Sequence, residues 1–206
     1  MVCSKVLSSI IILLLILLIS IPLQAGVPTD QIRATVKKIN SILSDPQFTS
    51  EGKRDLQHQL LRRVIEPRFD FTEMAKRSLG PHWRRRTPNE RRKFIRLFTD
   101  LLEYVYIGKI EDVNNKTFEF LKEKREGNYA IVKTRVTNSS GESFSINYKA
   151  HLVNGSWKVY DIVAENISVL NNYRSQFNRT IRKSSYETLI NKLEEKQVQL
   201  KKNAKQ

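Results

Sequence analysis

Only one cysteine, Cys3, occurs in the 206 residues, so the chain cannot build an internal disulfide framework or a cysteine-rich zinc site. Histidine is scarce as well. His58, His82 and His151 fall on different segments, and none has metal-ligand spacing to another. They read as surface or turn residues. The 7 glycines form no phosphate-cradling loop and no G-x-S-x-G elbow. One pair of acids, Asp161 and Glu165, stands near an expected strand end, where acid/base work, helix capping and pairing with an arginine would all account for it. With no catalytic signature, the chain reads as a non-enzyme that needs no cofactor and no metal. Acid is short relative to base, 21 against 36, for a formal charge of +15. Hydrophobic residues, at 40%, and aromatics, at 9%, are plentiful enough to exclude disorder throughout.

Long apolar runs are confined to the start. Lys5 precedes an uninterrupted run from Ile10 to Ile19, followed by Pro22 and Leu23-Gln24-Ala25-Gly26. This is the layout of a secretory leader over residues 1–25, with cleavage expected after Ala25. The other reading is an uncleaved anchor. Val6–Ile21, at about 1.5 Å per residue, falls short of a hydrocarbon core of about 30 Å. Cys3 would leave with the leader, and a cysteine-free exported chain suits an oxidising compartment such as a bacterial periplasm. Export also changes the meaning of the positive charge. An exported basic protein meets anionic membrane surfaces or an acidic partner protein rather than nucleic acid.

Beyond the leader the hydrophobic period changes twice. Thr29 or Asp30 is placed to cap a first helix with Ile32, Val36, Ile39 and Leu43 on one stripe, ended by Asp45-Pro46. A second helix is expected from Ser50 to Glu66, with Leu56, Leu60, Leu61, Val64 and Ile65 inward, and a third from Asp70 to Leu79, stopped by Gly80-Pro81. Thr87-Pro88-Asn89-Glu90 is a capping box with proline at the first helical position. Near Val113 the period becomes two. Phe118 and Phe120, then Ala130, Val132 and Val136, then Phe144 to Leu152, then Trp157 to Ala164 alternate as strands, broken at Gly127-Asn128, Asn138 to Gly141 and Asn154-Gly155. After Ser168 the helical period returns through Leu170, Tyr173, Phe177 and Ile181, and again from Ser184 through Leu193; the chain beyond Glu195 is expected to fray. The sequence thus predicts one α+β domain over 26–196, a twisted four-stranded antiparallel sheet wrapped on one face by helices, with a basic tail at 197–206.

Two stretches carry a resemblance. FDFTEMAKRSLGPHW (Phe69 to Trp83) with TPNERRKFIRLFTDLLEYVY (Thr87 to Tyr106), and WKVYDIVAENISVLNNYRSQF (Trp157 to Phe177), resemble the toluene-tolerance family of periplasmic phospholipid-binding proteins. Asn166 stands where that family usually has glycine, and Ser185 replaces a glycine often found before the last helix. The resemblance implies a soluble shuttle that holds a phospholipid's acyl chains between sheet and helices. It also implies partners: an outer-membrane lipoprotein–porin complex and an inner-membrane ABC lipid transporter complex, with outer-membrane lipid asymmetry as the outcome. Some relatives accompany hopanoid synthesis, so a hopanoid or other hydrophobic cargo is an alternative, as is a cargo-free periplasmic adaptor.

Such a carrier needs apolar side chains beyond those sealing the core, and a polar mouth. The expected lining comprises Phe71, Met74, Leu79, Phe94, Phe98, Leu101, Val105, Val132, Val136, Phe144, Ile146, Tyr148, Val159, Ile162, Val163, Ile167 and Tyr173; ordinary core packing is the competing role for each. Arg84, Arg85, Arg86, Arg91, Arg92 and Lys93 surround a helix start, which suits either a phosphate headgroup or an acidic docking partner.

Overall fold

The structure, a computed structural model, describes residues 27–48, 53–111 and 116–203. The expected leader, the expected helix start at Ser50 and the change of period near Val113 lie outside them.

Helix α1 (Pro28–Leu43) begins on Val27 rather than on Thr29 or Asp30. Its cap comes from a distant strand: the Glu123 carboxylate accepts from the Thr29 N–H at 2.9 Å and from the Thr29 hydroxyl at 2.6 Å. A negative group there also complements the helix dipole. Helix α2 (Arg54–Ile65) follows. It turns Leu61 fully inward, but Leu56, expected inward, is 49% exposed. Buried Gln57 takes the adjacent inward turn and donates to the Ile42 carbonyl. Helix α3 (Phe71–Leu79) is capped by Asp70, whose carboxylate accepts the Glu73 N–H at 2.9 Å. A 3-10 turn over Gly80–Arg85 leads into α4 (Pro88–Glu111). There the capping box forms as predicted, with Thr87 N–H donating to Glu90 at 2.6 Å and Glu90 N–H donating back to the Thr87 hydroxyl at 3.3 Å.

The sheet has five strands, not four: β1 (Thr117–Glu126), β2 (Tyr129–Thr137), β3 (Ser143–Val153), β4 (Ser156–Ala164) and β5 (Ile167–Ser168), antiparallel in sequence order. The fifth is two residues long, too short for an alternation to register in the sequence. Glu165 and Asn166, at φ 47 and 65, make the tight turn before it, as Asn154 and Gly155, at φ 48 and 78, do before β4. Asparagine tolerates this left-handed backbone, which is how Asn166 replaces a glycine. The segment before α3 covers the other part of the β4 edge, where Asp70 N–H donates to the Val159 carbonyl and Val159 N–H to the Arg68 carbonyl. Helices α5 (Val169–Lys183) and α6 (Tyr186–Asn203) complete the fold. The last helix continues past Glu195, where fraying is expected, and the described residues end with it.

Two β-bulges reset the alternation. In β4, Lys149 pairs with Asp161 but Ala150 pairs with Val159, so Tyr160 is the extra residue. In β1 the register shifts between Phe120 and Lys122. Before the β1 bulge Phe118 and Phe120 pack against the core under α1; after it Glu123 turns inward and reaches α1. Two large cores and a small one, where α1 meets α2 at Leu43 and Leu61, result among the described residues. Of the large cores, one lies among α3, α4, α5 and α6; the other lies between α1 and the sheet. Among the described residues no helix is long and apolar enough to cross a membrane.

Candidate functional site

Between the two large cores a cavity of about 370 Å³ remains unfilled, within the range of ligand pockets. One wall is the inner face of the sheet: Phe118, Val136, Phe144, Ile146, Tyr148, Val159, Ile162 and Ala164. The facing wall is α1, with Ile32, Thr35, Val36, Ile39 and Asn40. Ile65, Phe69, Phe71, Met74, Leu102, Tyr106 and Val169 close it laterally. Phe69 and Phe71 stack with ring centroids 6.0 Å apart.

Charged groups mark its two ends. Arg68 is fully engaged: its guanidinium donates to Gln31 at 2.6 Å, to Thr35 at 3.3 Å and to the Trp157 carbonyl. It therefore closes the end beneath the β3–β4 turn and pins α1 to β4. At the other end lie Arg62, Glu103 and Lys116. Arg62 Nε reaches Glu66 at 2.8 Å and stands 3.3 Å from Glu103 Oε1 without hydrogen-bond geometry. Burial pushes the Glu103 carboxyl up to about 7; Arg62 opposes this, while Asp100 and Glu66 add to it. Burial likewise raises the phenols of Tyr106 and Tyr148.

Of the expected lining residues, Phe71, Met74, Val136, Phe144, Ile146, Tyr148, Val159 and Ile162 border the cavity. Leu79, Phe94, Phe98, Leu101 and Tyr173 instead belong to the helical core, and Val105 packs against it. Phe98 alone has Phe94, Phe177 and Tyr173 within 5.2 to 5.7 Å, centroid to centroid, which leaves no space for a ligand there. Val132 is sealed in the core under α1. Val163 and Ile167 border a different feature, an open groove of about 590 Å³ with Lys133 and Lys149. The Tyr160 bulge explains Val163, because it exchanges the faces of every later residue in β4. The residues missed are chiefly those of α1, whose stripe reads as simple core, and the charged end. Only the spacing of Ile32, Val36 and Ile39 signals the former.

The basic cluster does not line the cavity. Arg86 bonds Glu90 at 3.0 Å and lies 4.4 Å from the Tyr186 ring centroid. Arg91 covers Trp83, Arg92 bonds Asn89, and Lys93 pairs with Glu194 at 2.9 Å. Arg84 and Arg85 are exposed. The capping box takes up the Thr87 and Glu90 N–H groups at this helix start.

Asp161 and Glu165 are structural. Buried Asp161 accepts from the Ser168 hydroxyl at 2.8 Å and the Leu170 N–H at 3.2 Å, with Lys149 at 3.3 Å. It thereby fixes the start of α5. Glu165 accepts from the Ser145 N–H. His151 meets Asp70 at 3.0 Å, and His82 meets Asn178 at 2.9 Å. Among the described residues no group of three or more His, Cys, Asp or Glu side chains could hold a metal ion.

The family model described as MlaC protein matches residues 33–195. The chain is 23% identical over 164 residues to the intermembrane phospholipid transport system binding protein MlaC of Haemophilus influenzae, covering 76% of this chain and 77% of that one. It is 24% identical over 169 residues to the toluene tolerance protein ttg2D of Pseudomonas putida, covering 80% and 79%. Among solved structures, a phospholipid-binding protein from Ralstonia solanacearum, in complex with a phospholipid, matches with a TM-score of 0.74 at 25% identity, over 86% of this chain and 98% of that one.

Proposed function

The chain belongs to the MlaC family, and from that membership and its cavity we propose that it carries a phospholipid across the periplasm. The observation that supports this most is the apolar space between α1 and the inner face of the sheet. Acyl chains enter it, and the headgroup remains at the charged end by Arg62, Glu103 and Lys116. Each buried methylene gains about 0.8 kcal/mol, so roughly a dozen methylenes, about what a cavity of this volume holds, gain on the order of 10 kcal/mol gross. Escape into water is correspondingly slow. Transfer must therefore be direct, with a partner or a membrane surface offering an apolar destination as the cavity opens.

The proposed partners are an outer-membrane lipoprotein–porin complex and an inner-membrane ABC lipid transporter. The leader at residues 1–25 supplies export, and the positive charge supplies steering toward anionic surfaces or acidic partner faces. Lipid extraction and native mass spectrometry of protein purified from cells are the test. About one phospholipid per chain is expected; repeated recovery of lipid-free protein would refute the carrier reading.

A further inference from the structure

The face of the sheet turned away from the cavity is crowded with basic side chains. The register sets Lys122 on β1 directly opposite Lys133 on β2, and Lys124 opposite Ile131, whose partner on β3 is Lys149. Like charges set opposite one another across strands are unfavourable. The acids of this face do not relieve them. Glu119 is paired with Arg135 at 3.1 Å, buried Asp161 holds Lys149 at 3.3 Å, and Glu126 stands at the end of the strand, opposite Tyr129. Lys122, Lys124 and Lys133 are exposed and form no ion pair among the described residues. The positive charge left over is therefore concentrated on β1 and β2.

Beside these lysines the face sinks into the groove of about 590 Å³ that Lys133 and Lys149 border. Ile131, Asn147 and Val163 form its sheet side, and the turn into α5 forms the other, with Asn166, Asn171 and Asn172. Ile167, on that turn, is 66% exposed. From β2 to β5 the groove crosses three strand spacings of about 4.8 Å each, roughly the reach of four residues of extended chain. Side-chain amides can both donate to and accept from a main chain. A flat membrane surface would meet only the projecting lysines and leave the amides of the groove unused.

We propose that this groove docks an extended acidic segment of a partner protein, its carboxylates set against Lys133, Lys122 and Lys124 and its main chain against the asparagines of the α5 turn. Groove and cavity lie on opposite faces of the sheet, so the proposal does not depend on what the cavity carries.

The probe is a capped, fluorescently labelled octapeptide of alternating glutamate and valine, titrated with the purified chain and followed by anisotropy. It should bind, more weakly by severalfold as salt rises from about 0.05 M to 0.5 M, and the same peptide with glutamine for glutamate should not. Lys122→Glu with Lys133→Glu should weaken binding about tenfold or more. Lys37→Glu with Lys38→Glu makes the same change of net charge at exposed positions of α1, on the opposite side of the sheet, and should leave binding within about twofold. Ile167→Asp, which sets a carboxylate in the groove, should also weaken it and supplies the answer if the first double variant does not fold. Sedimentation with phosphatidylglycerol vesicles is the parallel measurement and should respond alike to the two double variants. No binding of the acidic peptide, equal binding of its glutamine counterpart, or equal loss in both double variants would overturn the proposal. Vesicle binding lost only with Lys122→Glu and Lys133→Glu, without peptide binding, would overturn it in favour of a membrane surface.

Discussion

The α3–α6 bundle and the half-shell of α1 on the sheet are made of the same kinds of side chain, yet one is filled and the other is hollow. In the bundle, Phe94, Phe98, Tyr173 and Phe177 interlock edge to face, and Leu97 and Leu79 seal them from solvent. In the half-shell, Ile32 and Val36 stand across from Ile146, Tyr148 and Ile162 with space between. A curved sheet and a straight helix touch along a line, so apolar residues on either side of that line lack partners. The bundle supplies the rigidity that lets the other half remain open.

That division is open to attack from its dense side first. Phe98→Ala should cost about 3–5 kcal/mol, because three aromatic neighbours cannot all collapse into the void. Calorimetry should show the melting temperature falling by roughly 6–20 °C for a domain of this size. Lipid per folded chain should stay unchanged, and a parallel loss of both would merge the two regions into one.

Ile162→Trp probes the hollow side. The added bulk enters existing space, so stability should change by less than about 1.5 kcal/mol while bound lipid drops severalfold. Val163→Trp, one residue on, lies across the bulge on the other face and should leave lipid content intact. Equal effects from both would show that the Tyr160 bulge does not divide the faces.

Titration sharpens the comparison at the charged end. The Glu103 carboxyl sits at about 7 in the fold against an ordinary 4.5. Between those values the folded chain holds a proton that the unfolded chain has released, so stability falls as pH rises through this window and stays lower above it. Arg62, Asp100 and Glu66 are the charges acting on it. For lipid-free protein the loss should be roughly 1–3 kcal/mol, read by chemical denaturation at pH 5 and pH 8, and Glu103→Gln should flatten it.

The smallest stability effect belongs to the surface of the dense half. Arg84→Glu with Arg85→Glu should alter stability by less than about 0.5 kcal/mol and leave bound lipid in place. It should slow transfer to anionic vesicles, with the difference vanishing at high salt. A rate indifferent to both charge and salt would remove this face from docking.

Local signals in the sequence were strong where a few adjacent residues decide the outcome. Thr87-Pro88-Asn89-Glu90 starts α4, and Asn154-Gly155 turns β3 into β4, because capping and left-handed turns are settled within four residues. The division into filled and hollow halves was not legible, since Phe98 and Phe144 are equally apolar and differ only in what the fold sets opposite them. A two-residue alternation does not reveal the Tyr160 bulge, and the expected lining holds both Ile162 and Val163 although adjacent residues of a strand face opposite ways. The β5 strand is too brief to have a period. Arg62, Glu103 and Asn40 come from three different helices, and no spacing in the chain announces their meeting.

The carboxylate of Glu123 at the start of α1 bears on the order in which the molecule is assembled. A chain emerging from its amino end makes the α1 segment long before β1, the strand that caps it, exists. Until the hairpin of β1 and β2 has formed, α1 has neither its cap nor the apolar surface its stripe covers. The wall that closes the cavity is thus made before the sheet and docks only after β1 and β2 have formed. For that interval the inner face of the sheet is open along its length, and a cargo could be laid against it before the wall comes down.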